Sequence, residues 1–123
     1  MGPFKGTHYG PVTYVAGEAL PAFTPVKLGA GGVITKAAAT DRAIGVTTDG
    51  ADTVGDIVAV AVFGAHPGTV AVKAKGAVVA ANFIAADGSA AAATGTVIGI
   101  ALGDAADGDL FEMAHCVARE AAE

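Results

Sequence analysis

The chain has 123 residues and a formal net charge of −5, because twelve acidic side chains outnumber seven basic ones. This length suits one domain and leaves no room for a second, and the only close basic pair, Lys73 and Lys75, is too small a cluster to bind nucleic acid through its phosphates. The longest strictly apolar stretch, Ile57 to Phe63, is far too short to span a membrane, and the N-terminus lacks the apolar core of a signal peptide.

The apolar residues are mostly small. Hydrophobic residues make up 53% of the chain but aromatic residues only 6%, and Trp is absent. Because burial stabilises a fold by about 25 cal/mol per Å² of apolar area, a core of Ala and Val needs support from association with other copies or with a larger lattice. The single Cys116 excludes an internal disulfide. We expect a soluble protein that is made in the cytoplasm, because the sequence shows neither an apolar stretch of membrane-spanning length nor the apolar core of a signal peptide.

The N-terminal segment is predicted to be an extended arm, Met1 to Pro11. Four of the five prolines and four of the seven aromatic residues fall within the first 25 positions, and proline favours extended backbone in the residue before it. A first strand follows, in which Val12, Tyr14 and Ala16 share one face.

Short β-rich runs, separated by Gly, Asp and Pro, continue from there along the chain. Their close spacing predicts a small, single-domain, all-β barrel or sandwich, which we place at residues 12–123. The predicted strands are Pro25 to Leu28, Val33 to Lys36, Ala43 to Thr47, Ile57 to Phe63, Thr69 to Lys75, Phe83 to Ala86 and Val97 to Leu102.

Two degenerate repeats are visible within this domain, at about residues 16–63 and 75–118. Ala43-Ile44-Gly45-Val46 leads to Gly55-Asp56, as Val97-Ile98-Gly99-Ile100 leads to Gly108-Asp109. Upstream of these, Pro25-Val26 parallels Phe83-Ile84. Two copies are fewer than the roughly three that a repeat array needs, so the pattern indicates a duplicated motif inside one β domain.

The C-terminal segment fits two structures. Asp109 and Glu112 have the spacing of a helix capping box, whereas Phe111, Met113 and His115 alternate as in a strand and occupy the place that Ile57 to Phe63 holds in the first repeat. We favour a strand to about Val117 over a helix, with residues 118–123 as a frayed turn.

No catalytic, cofactor or metal site is predicted, and we expect the chain not to be an enzyme. Its Asp residues lie in Gly-rich turns, without the spacing of an EF-hand. The candidates set aside are Cys116 beside His115, which would point to opposite faces of a strand; His8, His66 and His115, which lack metal-binding intervals; Ser89, which lacks a nucleophile elbow; and Gly29 to Gly32, which lacks the Lys of a phosphate-binding loop.

The arm is the remaining candidate for function. An extended segment can add to the sheet edge of a partner while its aromatic side chains fill pockets. The predicted binding residues are Phe4, Lys5, Tyr9 and Tyr14. In the alternative, Phe4 and Tyr9 fold back over the domain of the same chain.

Short motifs of small residues run through the chain after the arm: Ala16-Gly17, Pro25-Val26-Lys27-Leu28, Ala43-Ile44-Gly45-Val46, Gly55-Asp56-Ile57-Val58-Ala59-Val60, Lys75-Gly76, Ile98-Gly99-Ile100-Ala101 and Gly108-Asp109. In these motifs the chain resembles the small capsid cement, or head decoration, proteins of tailed bacteriophages. The arm has no counterpart in this resemblance.

The resemblance implies a compact β domain that forms a homotrimer on the outer surface of the virion, near local three-fold positions, and stabilises contacts between major capsid subunits. Neither a membrane nor nucleic acid is an expected partner. The alternative is a self-polymerising virion protein such as a tail-tube subunit. A cupin-like enzyme, as a third class, would require clustered His ligands for a metal.

Overall fold

The computed structural model describes residues 11–90 and 96–120, and across these ranges the chain is built from strands, with one 3-10 turn at Ala30–Gly32 and no α-helix. This confirms the all-β prediction. The eight strands up to β8 lie within two residues of their predicted bounds. The strands are β1 Val12–Ala16, β2 Pro25–Leu28, β3 Val33–Lys36, β4 Ala43–Thr47, β5 Ile57–Val62, β6 Val70–Lys73, β7 Phe83–Ala85, β8 Thr96–Ala101 and β9 Leu110–Glu120.

The strands form a closed barrel followed by an open sheet. The barrel has the order β1-β3-β2-β4-β5 and closes through antiparallel pairing of β1 with β5. β3 lies between β2 and β1 and is parallel to β1, with Val15 opposite Val33. The second sheet has four strands in the order β6-β9-β8-β7. Fold prediction and structure therefore agree on a small β-barrel domain.

The C-terminal segment is a strand, as favoured from its alternation, but it is longer than predicted. β9 extends to Glu120, where it pairs with Thr96, and Arg119 pairs with Val97. The prediction of a frayed turn is therefore wrong for residues 118–120, because β8 starts early enough to supply these residues with hydrogen-bonding partners. Residues 121–123 lie outside the described part of the chain.

The two repeats share a detailed backbone plan. β1, β2, β4 and β5 of the first correspond to β6, β7, β8 and β9 of the second. Each repeat has a β-bulge of one extra residue at the same place. Ile44 is the extra residue in the pairing of β2 with β4, and Ile98 is the extra residue in the pairing of β7 with β8. The isolated bridge Leu20 to Ala51 recurs as Val78 to Ala105. The correspondence begins at β1 and β6, upstream of the starts at 16 and 75 expected from the sequence.

The repeats differ at the connection that follows β2 and β7. In the first repeat the chain turns through residues 29–32 and returns as β3, which completes the barrel. In the second, Asp87 and Gly88 form a tight turn, after which Ala90 makes a single bridge to Ile84. The described residues of the second sheet therefore contain no counterpart of the full β3 strand, and that sheet stays open.

Two apolar clusters fill the fold. The smaller lies inside the barrel and consists of Ala16, Leu20, Val26, Ile34, Ala51, Val58 and Val60. The larger combines the inner face of the second sheet, including Val72, Ile84, Ile98 and Met113, with Ala43, Val46, Ala61 and Phe63 of the first repeat. Val46 and Ala61 are paired neighbours that point away from the barrel interior. The outer wall of the barrel is therefore one side of the second core.

Candidate functional site

Of the four arm residues predicted to bind a partner, the structure describes Tyr14. It lies in β1 opposite Val58, is half-buried, and packs partly against the barrel core. Phe4, Lys5 and Tyr9 lie outside the described residues, as does His8. Binding through the arm therefore stays a prediction.

Several of the acidic residues predicted to serve turns accept hydrogen bonds from loop backbone. The carboxylate of Asp56 accepts hydrogen bonds from the backbone N–H groups of Asp52 and Thr53, both at 3.2 Å. Asp104 and Asp107 accept from backbone N–H groups of neighbouring loops, at 2.8 Å and 2.9 Å. Within residues 11–90 and 96–120, no three Asp, Glu, His or Cys side chains are grouped in a way that could hold a metal ion.

The fold brings together two histidines that are far apart in sequence. The rings of His66 and His115 have centroids 6.2 Å apart. His115 Nδ1 accepts a hydrogen bond from Gly64 N–H at 2.9 Å, and its Nε2 lies 3.0 Å from the carbonyl oxygen of Gly68. With Nδ1 as acceptor, Nε2 carries the proton and donates. His115 thus ties β9 to the turn that joins the repeats, which is a structural role.

A cleft of about 480 Å³ opens between the repeats. Its lining includes the side chains of Lys36, Lys73 and Lys75, and their charge is partly offset by Asp87 and Asp107. Lys75 Nζ lies 3.3 Å from an Asp87 carboxylate oxygen. The cleft has little excess charge, so it offers no strong site for an anion.

Asp87 is held ionised in this cleft. Burial is the largest influence on its pKa and raises it, but the hydrogen bonds from the Ser89 hydroxyl and N–H, together with Lys75, outweigh burial. The net effect lowers the pKa of Asp87 below its ordinary value.

The outer face of the second sheet carries exposed apolar side chains. Phe83, Ile100 and Ala114 stand side by side across β7, β8 and β9, and Leu102 lies on the same face, two residues beyond Ile100. Phe83 is 51% exposed and Ile100 39%. Beside them a depression of about 300 Å³ is lined also by Cys116 and Arg119. We call these four apolar residues (Phe83, Ile100, Leu102 and Ala114) the sheet patch.

A second apolar group lies on the barrel wall formed by β5, β1 and β3. Val15 is paired with Ile57 on one side and with Val33 on the other. Val15 and Ile57 are exposed, and Val33 is half-buried. We call Val15, Val33 and Ile57 the barrel patch. It lies on strands other than β4, which contacts the second sheet, so the two patches are on different walls of the molecule.

Sequence reasoning missed both patches, although a signal for the sheet patch was present. When the repeats are aligned, Phe83 corresponds to Pro25, Ile100 to Val46 and Ala114 to Ala61. A position that faces water after duplication is free to become polar, whereas these three stay apolar. Such retention indicates a covered surface.

Comparisons with known proteins give no match to a family model and none to a curated sequence. Across the residues that the structure describes, no helix has the length and apolar character needed to cross a bilayer. The surface patches are therefore the features on which a function can be argued.

Proposed function

We propose that this chain is a capsid decoration protein of a tailed bacteriophage, which binds the outer surface of the mature head as a homotrimer and stabilises contacts between major capsid subunits. The observation that carries the proposal is the exposure of contiguous apolar side chains on two walls of a small β scaffold. Exposed apolar groups of this kind mark surfaces that bind other proteins. The phage head as the target follows from the resemblance of the sequence motifs.

The proposed mechanism is stabilisation through binding. A protein that binds the mature shell more tightly than it binds the other states of the shell stabilises the mature shell by mass action. A specific contact buries about 800 Å² on each partner, and several such contacts on a repeating lattice act together with an effective concentration far above that of the free protein. The proposed function therefore depends on the geometric fit between this chain and the shell and requires no catalytic step.

The arm supplies the proposed contact with the shell. Phe4, Lys5 and Tyr9 precede β1 directly, and Tyr14 lies within β1. An extended segment in this position can pair with a sheet edge of a capsid subunit and place its aromatic rings in pockets. The aromatic rings are the expected anchors, because such side chains dominate binding at protein interfaces.

Binding to purified heads tests the proposal. Heads that lack the chain are incubated with the purified protein, separated by sedimentation, and assayed for bound copies and for resistance to heat. We expect the full chain to bind and to raise the temperature at which heads release DNA. Failure of the full chain to bind expanded heads would overturn the proposed function.

Two variants assign the contact to the arm. One lacks residues 2–11, and the other keeps the length of the arm but carries Phe4→Ser and Tyr9→Ser. We expect both to lose at least tenfold in occupancy, with an Ala65→Glu variant, changed at an exposed position outside the arm, as the control. Unchanged occupancy of both arm variants would exclude the arm as the anchor.

The alternative is a self-polymerising virion subunit, such as that of a tail tube. The two apolar patches on different walls would also serve this function. Electron microscopy of the purified chain separates the two proposals, because discrete particles favour decoration and extended tubes favour polymerisation.

A further inference from the structure

The repeat architecture contains one complete interface between two copies of the same fold. Outward-facing Val46 and Ala61 of the first repeat are each 1% exposed, because the inner face of the second repeat covers them. This interface joins unlike surfaces: an outer wall on one side and an inner face on the other. In the first repeat, the wall formed by β2, β4 and β5 is therefore an interface with a second copy of the fold.

In the second repeat the same wall is exposed, and none of the residues in 11–90 and 96–120 forms a sheet against it. Phe83, Ile100 and Ala114 take the places of Pro25, Val46 and Ala61 in equivalent registers. Two of the three replacements enlarge the apolar side chain, from Pro to Phe and from Val to Ile. A solvated wall would gain nothing from larger apolar side chains, whereas a wall that contacts protein gains buried area.

We propose that the sheet patch of one molecule is covered by the barrel patch of a second copy of this chain. A second copy is the expected occupant because, within the chain, a repeat of this same fold covers the equivalent wall. The barrel patch is the expected surface on that copy because the internal interface joins unlike walls. Exposed Val15 and Ile57 form an apolar row with half-buried Val33 on a different wall.

Contacts between unlike surfaces have a defined consequence. Each molecule offers one sheet patch and one barrel patch, so association proceeds head to tail and ends when a ring closes. The inference identifies the surfaces of the proposed homotrimer and rests on that part of the proposed function. It does not depend on binding to heads, which the occupancy assay measures separately.

The test uses two complementary variants of the full chain. Phe83→Glu places a charge in the sheet patch, and Ile57→Glu places one in the barrel patch. Both side chains are exposed, so the folded monomer is expected to tolerate them. Ala65→Glu, at an exposed position in the turn between the repeats, is the matched control for the added charge. Molecular mass is measured by light scattering after gel filtration at increasing protein concentration.

We expect the wild-type chain and Ala65→Glu to be oligomeric and each patch variant to be monomeric, with association weakened at least tenfold. An equimolar mixture of Phe83→Glu and Ile57→Glu retains one intact pair of surfaces and should form a heterodimer that does not grow further. This mixture is the decisive sample, because neither variant alone can make that contact.

Three results would overturn the inference. They are a monomeric wild-type chain at all concentrations, patch variants with the mass of the wild type, and an Ile57→Glu variant that dimerises by itself, which would show that sheet patches pair with each other. Circular dichroism verifies that the variants are folded. If Phe83→Glu does not fold, Phe83→Ser with Ile100→Thr takes its place in the same measurements.

Discussion

Gly45 and Gly99 hold equivalent places in the two repeats, next to the extra residue of each bulge. A Cβ built on Gly45 would overlap the carbonyl oxygen of Ala61, and one on Gly99 would overlap the carbonyl oxygen of Ala114. Because those oxygens belong to paired strands, they cannot move aside without breaking the sheet. The glycines therefore allow close approach of two backbones at the bulges.

We predict that Gly45→Ala and Gly99→Ala each lower the free energy of unfolding by about 1–3 kcal/mol, since overpacking of a filled site has this cost. Urea unfolding followed by circular dichroism measures the effect. Gly103→Ala is the matched control, because a Cβ at Gly103 would meet no atom within 4 Å. Equal stability of Gly45→Ala and Gly103→Ala would contradict the steric argument.

The pH dependence of stability has an identified contributor in Asp87. The pKa of its carboxyl is lowered in the folded state, so it contributes stability above the pKa of the unfolded chain, about 3.9 for Asp, and this contribution is lost as the pH falls through the lower, folded value. We predict that Asp87→Asn reduces stability at neutral pH and that its difference from wild type shrinks below about pH 4.

Thermal unfolding of both proteins across this pH range tests the prediction. Asp52→Asn is a suitable control, because Asp52 is exposed and lies away from the cleft. A difference between Asp87→Asn and wild type that stays constant down to the lowest pH would contradict the assignment.

At the scale of elements, β9 is the strand that holds the second sheet together. It pairs with β6 through Leu110 to Met113 and with β8 as far as Glu120. Ala118 also packs against the larger core. The end of β9 therefore contributes pairing and packing to the sheet, although its small and charged residues are typical of a frayed terminus.

We predict that deletion of residues 118–123 destabilises the chain by about 1–3 kcal/mol, because Thr96 and Val97 lose their partners in β9. Urea denaturation gives the value. Deletion of 121–123 alone leaves those pairs in place and should have little effect. If both truncations are equally stable, the end of β9 contributes nothing to the sheet.

The strands could be predicted from the sequence because period-two alternation and Gly- or Asp-rich turns are local signals. The partners of the strands could not. Val46 and Ile100 have the same local pattern, yet one is buried and the other exposed, because within the described part of the chain a second sheet packs against the wall of the first repeat and none packs against that of the second. The proximity of His66 and His115 likewise depends on the path of the chain between the repeats, which no local spacing encodes.

At the scale of the whole molecule, the larger core belongs to both repeats. Val46 lies in β4 of the barrel but packs in the same cluster as Ile84, Ile98 and Met113 of the second sheet. Removal of either repeat would expose to water the part of this cluster that the other repeat contributes. The two repeats are therefore expected to unfold together.

We predict a single unfolding transition, and that Val46→Ala lowers the stability of both repeats by the same amount, about 1–3 kcal/mol. Hydrogen exchange resolved along the chain measures protection in each repeat separately. Val79→Ala, an exposed substitution in the second repeat, serves as the control. Loss of protection confined to the first repeat would show that the repeats unfold independently.

The barrel has a core of its own, so its strands can begin to pair before the rest of the chain has been synthesised. All five barrel strands are complete at Val62, whereas the second sheet needs a further 58 residues, to Glu120. At ordinary rates of synthesis these residues take about 3–12 s to be added, and until then the outer wall of the barrel is not covered by the second sheet. During that interval the apolar side chains of Val46 and Ala61 have no second sheet against them, so we expect this to be the stage at which chaperones can bind the nascent chain.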